Sequence, residues 1–189
     1  MDSTTKLRLI LDRLWDGSIA NEGEWAEVTM TLSPAGLSVG VTASFHDDPA
    51  PEQTPGPTDE LWNYEVVELF VANESGEYLE LELGPHGHYL ALLFSGVREV
   101  ERRDVVIDCR ATINGALWKA TAHVDQIYLP HGISRANAYA IHGQGGARRF
   151  LAAYPVPGER PDFHQPHRFR LFEEIPGATP PVSGNDRSS

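Results

Sequence analysis

Residues 61–95 read LWNYEVVELFVANESGEYLELELGPHGHYLALLFS, three strands in succession joined by two short turns. Side chains of a strand alternate between faces, so a slip of one residue sends every leucine to the wrong side. Val67, Leu69 and Val71 share one parity, and so do Leu79, Leu81 and Leu83. A turn over residues 73–77 that sets Leu69 opposite Leu81 aligns both apolar rows. It leaves Val66, Glu68 and Phe70 on the other face beside Tyr78, Glu80 and Glu82. The next turn, Gly84-Pro85-His86-Gly87, then predicts Leu90, Leu92 and Phe94 on the core row and Tyr89 opposite Glu82. Two glutamates that face each other repel unless a cation, an arginine or a shared proton lies between them. The segment therefore predicts a site on a sheet surface, with acids and rings side by side.

Outward from this stretch, period-two alternation recurs over residues 6–11, 25–32, 36–46, 104–113, 116–124, 136–142, 150–154 and 168–172. The expectation is an all-β fold, an antiparallel β-sandwich with jelly-roll character, carrying one helical turn at 125–129. Residues 47–60, DDPAPEQTPGPTDE, hold four prolines and five acids and predict a solvated loop. Residues 174–189, EIPGATPPVSGNDRSS, offer almost nothing to bury and predict a disordered tail behind one domain over 1–173.

A chain of 189 residues that is 41% hydrophobic can bury a full core without metal or disulfide. A net charge of −12 argues against nucleic acid and anionic membranes as partners, and the pairs Arg102-Arg103 and Arg148-Arg149 are too few to reverse that. No run approaches the ~20 apolar residues that span a bilayer. The single Cys109 excludes an intramolecular disulfide, and MDSTTKLRLILDRLW lacks the apolar segment of a signal peptide, so a cytoplasmic location is expected.

The blocks WNYEVVELF, YLELELGPHGHYLALLFSG, LWKATAHV, RANAYAIHG and FLAAYPVPGERPDFHQPHRFRLF follow in an order that resembles DOMON-like domains related to family 9 carbohydrate-binding modules. The resemblance covers roughly residues 60–173 and looks closest to a cytosolic family that keeps the shape of the module without an assigned activity. It implies a sandwich of carbohydrate-binding-module type. In those modules a tryptophan six residues before a glutamate stacks on the sugar while the glutamate bonds its hydroxyls, and the matching positions are Trp62 and Glu68. Where the modules carry a second stacking tryptophan, this chain has Ala153 followed by Tyr154, which departs from a two-sided clamp.

The candidate ligand-binding set is Trp62, Tyr64, Glu68, Glu82, Tyr89, Arg148, Arg149, Tyr154 and His164. Flat rings suit the C–H faces of a sugar, and fixed carboxylates and guanidiniums suit its hydroxyls. A small polar molecule or a glycan is the expected partner, bound without being transformed. Two other readings stay open: an enzyme using the same carboxylates, with His88 or His164, on a sugar or related metabolite, and a module whose sheet face meets another protein. A loop over this face, with Arg98, Arg135, Arg148 or Arg149 neutralising the acids, would leave no site at all. No catalytic motif of the GxSxG kind accompanies the acids.

No metal or cofactor is expected. His86, His88, His142, His164 and His167 lack HExxH or paired-cysteine spacing. Asp47, Asp48, Asp59 and Glu60 supply oxygen ligands that would suit calcium, although a solvated acidic loop accounts for them as well. Nothing in the sequence fixes an oligomeric state.

Overall fold

Alternation is what separates the two layers of this molecule. The computed structural model describes residues 4–179. Its strands, in chain order, are β1 (Thr5–Leu11), β2 (Arg13–Leu14), β3 (Ala26–Ser33), β4 (Gly36–Ser44), β5 (Val66–Ala72), β6 (Tyr78–Leu83), β7 (Tyr89–Gly96), β8 (Glu99–Arg102), β9 (Asp108–Asn114), β10 (Leu117–Asp125), β11 (Arg135–His142), β12 (Arg149–Ala152) and β13 (Arg170–Leu171). One sheet runs β1-β3-β4-β10-β9, and β1 and β10 alternate buried and exposed along their whole lengths. That is the signature of a sheet with one wet face.

The second sheet runs β2-β12-β11-β5-β6-β7-β8, with β13 pairing to β11. Every residue of β5 and β6 is buried, so this sheet is covered on both faces. Its inner face supplies Val67, Leu69, Val71, Leu79, Leu81 and Leu83 to the core shared with Leu9, Val28, Leu37 and Trp118 of the first sheet. The architecture is an antiparallel β-sandwich, as the sequence predicts. The outer face gathers Phe70, Tyr78, Leu92, Phe94, Tyr139 and Ile141 into a second apolar cluster. Residues 155–169 fold back over part of it. Phe163 stacks on Tyr139 with centroids 3.8 Å apart, and Phe169 lies 5.6 Å from Phe70.

Leu69 does sit opposite Leu81, and Glu68 opposite Glu82. β7 departs from the expected register by one residue. Leu83 pairs with Tyr89 and Glu82 with Leu90, which turns Tyr89 into the core and brings Leu90, Leu92 and Phe94 onto the outer face. The cause is the turn. The Gly84 N–H donates to the His88 carbonyl at 2.9 Å, so three residues rather than two lie in the loop, and Gly87 closes it at φ 85°. A three-residue hairpin loop needs a left-handed residue in that place, and the extra residue flips every following side chain.

The expected strand at 104–113 begins only at Asp108, and β8 precedes it as a separate hairpin arm. Residues 47–60 form no strand but are docked rather than merely solvated. Thr58 is buried, its N–H donates to the Tyr89 carbonyl (2.9 Å), and the Gly143 N–H donates to Asp48 (2.5 Å). The tail expected from 174 onward is ordered through 179: Ile175 is in the core, and Thr179 exchanges two backbone hydrogen bonds with Lys6. Residues 180–189 of that tail lie outside the described residues.

Candidate functional site

The outer face of the second sheet has an aromatic end and an acidic end, and only the aromatic end is closed. Above the acidic end lies a cavity of about 640 Å³. Glu68 and Glu80 form its floor, and Trp62, Leu92, Phe94, Val100, Ile141, Phe150 and Phe163 its walls. Strand pairing places the acids, since Glu80 is paired with Phe70 one step along the face from the Glu68–Glu82 pair. Glu68, Glu80 and Glu82 each offer an oxygen within 4.8 Å of the others.

These three side chains retain 2%, 4% and 0% of their exposure, respectively. Burial penalises the charged form, and it is the largest influence on each of them. Glu80 is pushed up to about 8, with Arg98 opposing the rise. Glu68 is raised well above the carboxylate range by burial and by Glu80, against the pull of Arg148. Glu82 is raised by burial and by both neighbouring acids. Neither Glu82 oxygen has a well-formed hydrogen bond; the Trp62 N–H faces it from outside bonding geometry and offsets the rise only in part. At neutral pH the floor therefore carries protons, so its carboxyls can donate as well as accept. A divalent cation is the other species that three oxygens so arranged could hold. Among the described residues no other group of three or more His, Cys, Asp or Glu converges in this way, and Asp47, Asp48, Asp59 and Glu60 are not gathered into such a group.

The rim is built from loops. Trp62 lies in the single helical turn Leu61–Asn63, anchored by the buried Leu61 and left 37% exposed. Arg148 donates to the carbonyls of Trp62 and, at 3.0 Å, of Asn63, which fastens that turn to the start of β12. His164 lines the opposite side, where its Nδ1 is hydrogen-bonded to the Tyr78 hydroxyl at 2.8 Å. The same hydroxyl accepts from the Arg98 N–H (3.1 Å), and the Arg98 guanidinium donates to Asp162 (2.7 Å). Burial lowers His164 to about 4, so it is neutral at physiological pH. Arg98 itself takes φ 60°, a conformation rare for a residue with a side chain and here held by bonds at both its ends.

Of the nine residues singled out from the sequence, Trp62, Glu68, Arg148 and His164 line the cavity, and Glu82 lies beneath it in contact range of Glu68 and Glu80. Four do not belong. Tyr89 is in the core because of the β7 register. Tyr64 faces a crevice beside Asp48, Pro51 and His88. Tyr154 packs against the inner core with Arg170 4.7 Å from its ring centroid. Arg149 is held by Glu24 through bonds of 2.9 and 2.8 Å. The cavity adds residues that the set omits: Glu80, Arg98, Arg103, Arg160, Asp162 and Phe163.

Comparison with known proteins places the chain. It is 38% identical over 174 residues to the UPF0462 protein C4orf33 homolog of Mus musculus, a match covering 86% of this chain and 88% of that one. The chain belongs to the UPF0462 family. The Homo sapiens UPF0462 protein C4orf33 is 38% identical, with 86% and 85% covered, and the Danio rerio homolog is also 38% identical, with 84% of each covered. No protein-family model matches the chain. Among solved structures, a presumed carbohydrate-binding protein from Bacteroides uniformis shares the fold at a TM-score of 0.65 over 86% of this chain and 83% of its own, with 17% identity. In this UPF0462 chain that likeness establishes the sandwich and nothing about a ligand.

Proposed function

We propose that the cavity binds a carbohydrate-like polyol and holds it without chemical change. The observation that carries this reading is the acid floor: the nearly buried Glu68 and Glu80 face an open space of about 640 Å³, with the unbonded carboxyl of Glu82 directly beneath them. A polar group left unsatisfied in a protein interior is costly, and a hydroxyl-bearing ligand reaching the floor relieves that cost. The volume suits a small molecule, and the mixture of apolar walls with a few convergent polar groups is that of a binding pocket. Trp62 at the mouth offers a flat face of the kind that sugar rings stack on. The fold shared with the Bacteroides uniformis protein is consistent with a binding role.

Intrinsic fluorescence titrated with mono- and oligosaccharides tests this. A saturable shift is expected, weakened about tenfold or more in Trp62→Ala, which corresponds to ~1.4 kcal/mol. A flat response across the panel in the unaltered protein would remove the carbohydrate reading.

A further inference from the structure

The same cavity collects positive charge, part of which the protein leaves without a partner. Arg98, Arg103, Arg148 and Arg160 all line it, four of the chain's 15 lysines and arginines in a molecule of net charge −12. The two adjacent arginine pairs are split. Arg102 turns to Asp104 and Arg149 to Glu24, while Arg103 and Arg148 face the cavity. Among the described residues none of the four cavity arginines forms an ion pair with Glu68, Glu80 or Glu82. Arg98 is engaged by Asp162, and Arg148 by the two backbone carbonyls. Arg103 and Arg160 are exposed and have neither a hydrogen-bond nor an ion-pair partner among the described residues.

Neutralisation of the floor is therefore not what the rim arginines do. The floor is kept uncharged by burial, and the Arg103 and Arg160 guanidiniums stand at the mouth with no partner among the described residues. Elsewhere, the His46–His142 stack beside Glu24 and Glu65 borders a space of only about 10 Å³, too small for a ligand.

We propose that the ligand of this cavity is an anionic carbohydrate, its hydroxyls on the Glu68–Glu80 floor and its phosphate or carboxylate at Arg103 and Arg160. This rests on the carbohydrate reading above and narrows it to a class. Arg is suited to either acid because its planar fork matches two oxygens at once. A neutral floor does not repel an anion entering above it, and it supplies donors to the sugar oxygens. In a chain this acidic, long-range attraction does not draw an anion in, so capture depends on these local guanidiniums.

Calorimetric titration separates the claims. The probes are glucose 6-phosphate and glucuronate, their neutral parent glucose, and inorganic phosphate. Either or both acid sugars are expected to bind about tenfold or more tightly than glucose, with a preference that shrinks as salt is raised. In the double variant Arg103→Gln/Arg160→Gln the ratio of acid-sugar to glucose affinity falls toward one; a merely structural effect would weaken both and leave the ratio. Which acid sugar binds tells phosphate from carboxylate. Glucose binding as well as the acid sugars would overturn the anionic assignment and leave the carbohydrate reading standing. Phosphate alone matching glucose 6-phosphate would overturn a ligand that spans rim and floor. Failure of every sugar in the unaltered protein would overturn both.

Discussion

Glu68 and Glu82 stand directly opposite each other on β5 and β6, both buried, and the Glu82 carboxyl has no well-formed hydrogen bond. Close carboxyls in such a place hold protons that they would release in water. Their folded-state proton affinities lie above the unfolded ones, so the folded protein binds more protons from about pH 4.5 upward, Glu80 up to about pH 8. Stability from this cluster is fully present below the unfolded value and is lost as pH rises through the folded one. Glu82→Gln removes one titrating member while keeping its shape. Urea unfolding should show the variant more stable than the parent at pH 9 by about 1–3 kcal/mol, and the gap closing toward pH 4. A difference that is independent of pH would mean that folding does not change the proton affinity of Glu82.

Glu24 gives the opposite dependence. Two bonds from Arg149 hold its carboxyl down at about 2, with burial opposing, and His142 beside it is lowered to about 4 by burial. Both shifts make the fold more stable near neutrality than in acid. The histidine contribution is lost as pH falls from 6.5 to about 4, and the glutamate contribution from 4.5 to about 2. Arg149→Met should cost about 1 kcal/mol at pH 7 and raise the midpoint of acid unfolding, read by circular dichroism. An unchanged acid midpoint would show that the pair has no influence there.

What could be read in the sequence was the part governed by a period of two. The leucines of β5 and β6 fixed their own faces and therefore those of Glu68, Glu80 and Glu82. β7 was misread because Gly-Pro-His-Gly accommodates a loop of two or three residues, and only the conformation of Gly87 decides between them. Arg98 and Arg103 belong to a β7–β8 hairpin whose charge-rich arm hides its alternation, and its register is broken by bulges. Arg160, Asp162 and Phe163 lie on a segment without periodicity, docked by rings, so no local pattern announces them. The only signal that could have placed that segment was its aromatic spacing, Phe163 and Phe169 flanking His164, Pro166 and His167.

Arg148 joins stability of the rim to occupancy of the cavity. Its guanidinium holds the Trp62 and Asn63 carbonyls and lies near Glu68. Arg148→Ala should loosen the Leu61–Asn63 turn and weaken carbohydrate binding about tenfold, with global stability lowered by no more than about 1 kcal/mol. Amide exchange checks it. The Tyr64 N–H, which donates to the Leu61 carbonyl at 2.9 Å, should lose protection while those of β5 keep theirs. Equal loss in both places would make Arg148 a general support of the fold instead.

Phe163 is the pin that closes the aromatic end of the outer face. It stacks on Tyr139, meets Phe150 edge-on at 6.0 Å and lines the cavity, while the flanking His164 and Asp162 reach Tyr78 and Arg98. Removing the ring deletes apolar contact over a half-buried residue, so Phe163→Ala should cost about 2–3 kcal/mol, somewhat less than truncation in a closed core. It should also free residues 155–169 to lift, admitting water above Glu68 and Glu80. Their proton affinities would then fall toward ordinary carboxylates, and the stability loss between pH 4.5 and 8 would become shallower. Urea unfolding across that pH range measures both effects. A large stability loss with an unchanged pH slope would show that the floor acids are desolvated by the sheet alone and that the covering segment contributes nothing to their chemistry.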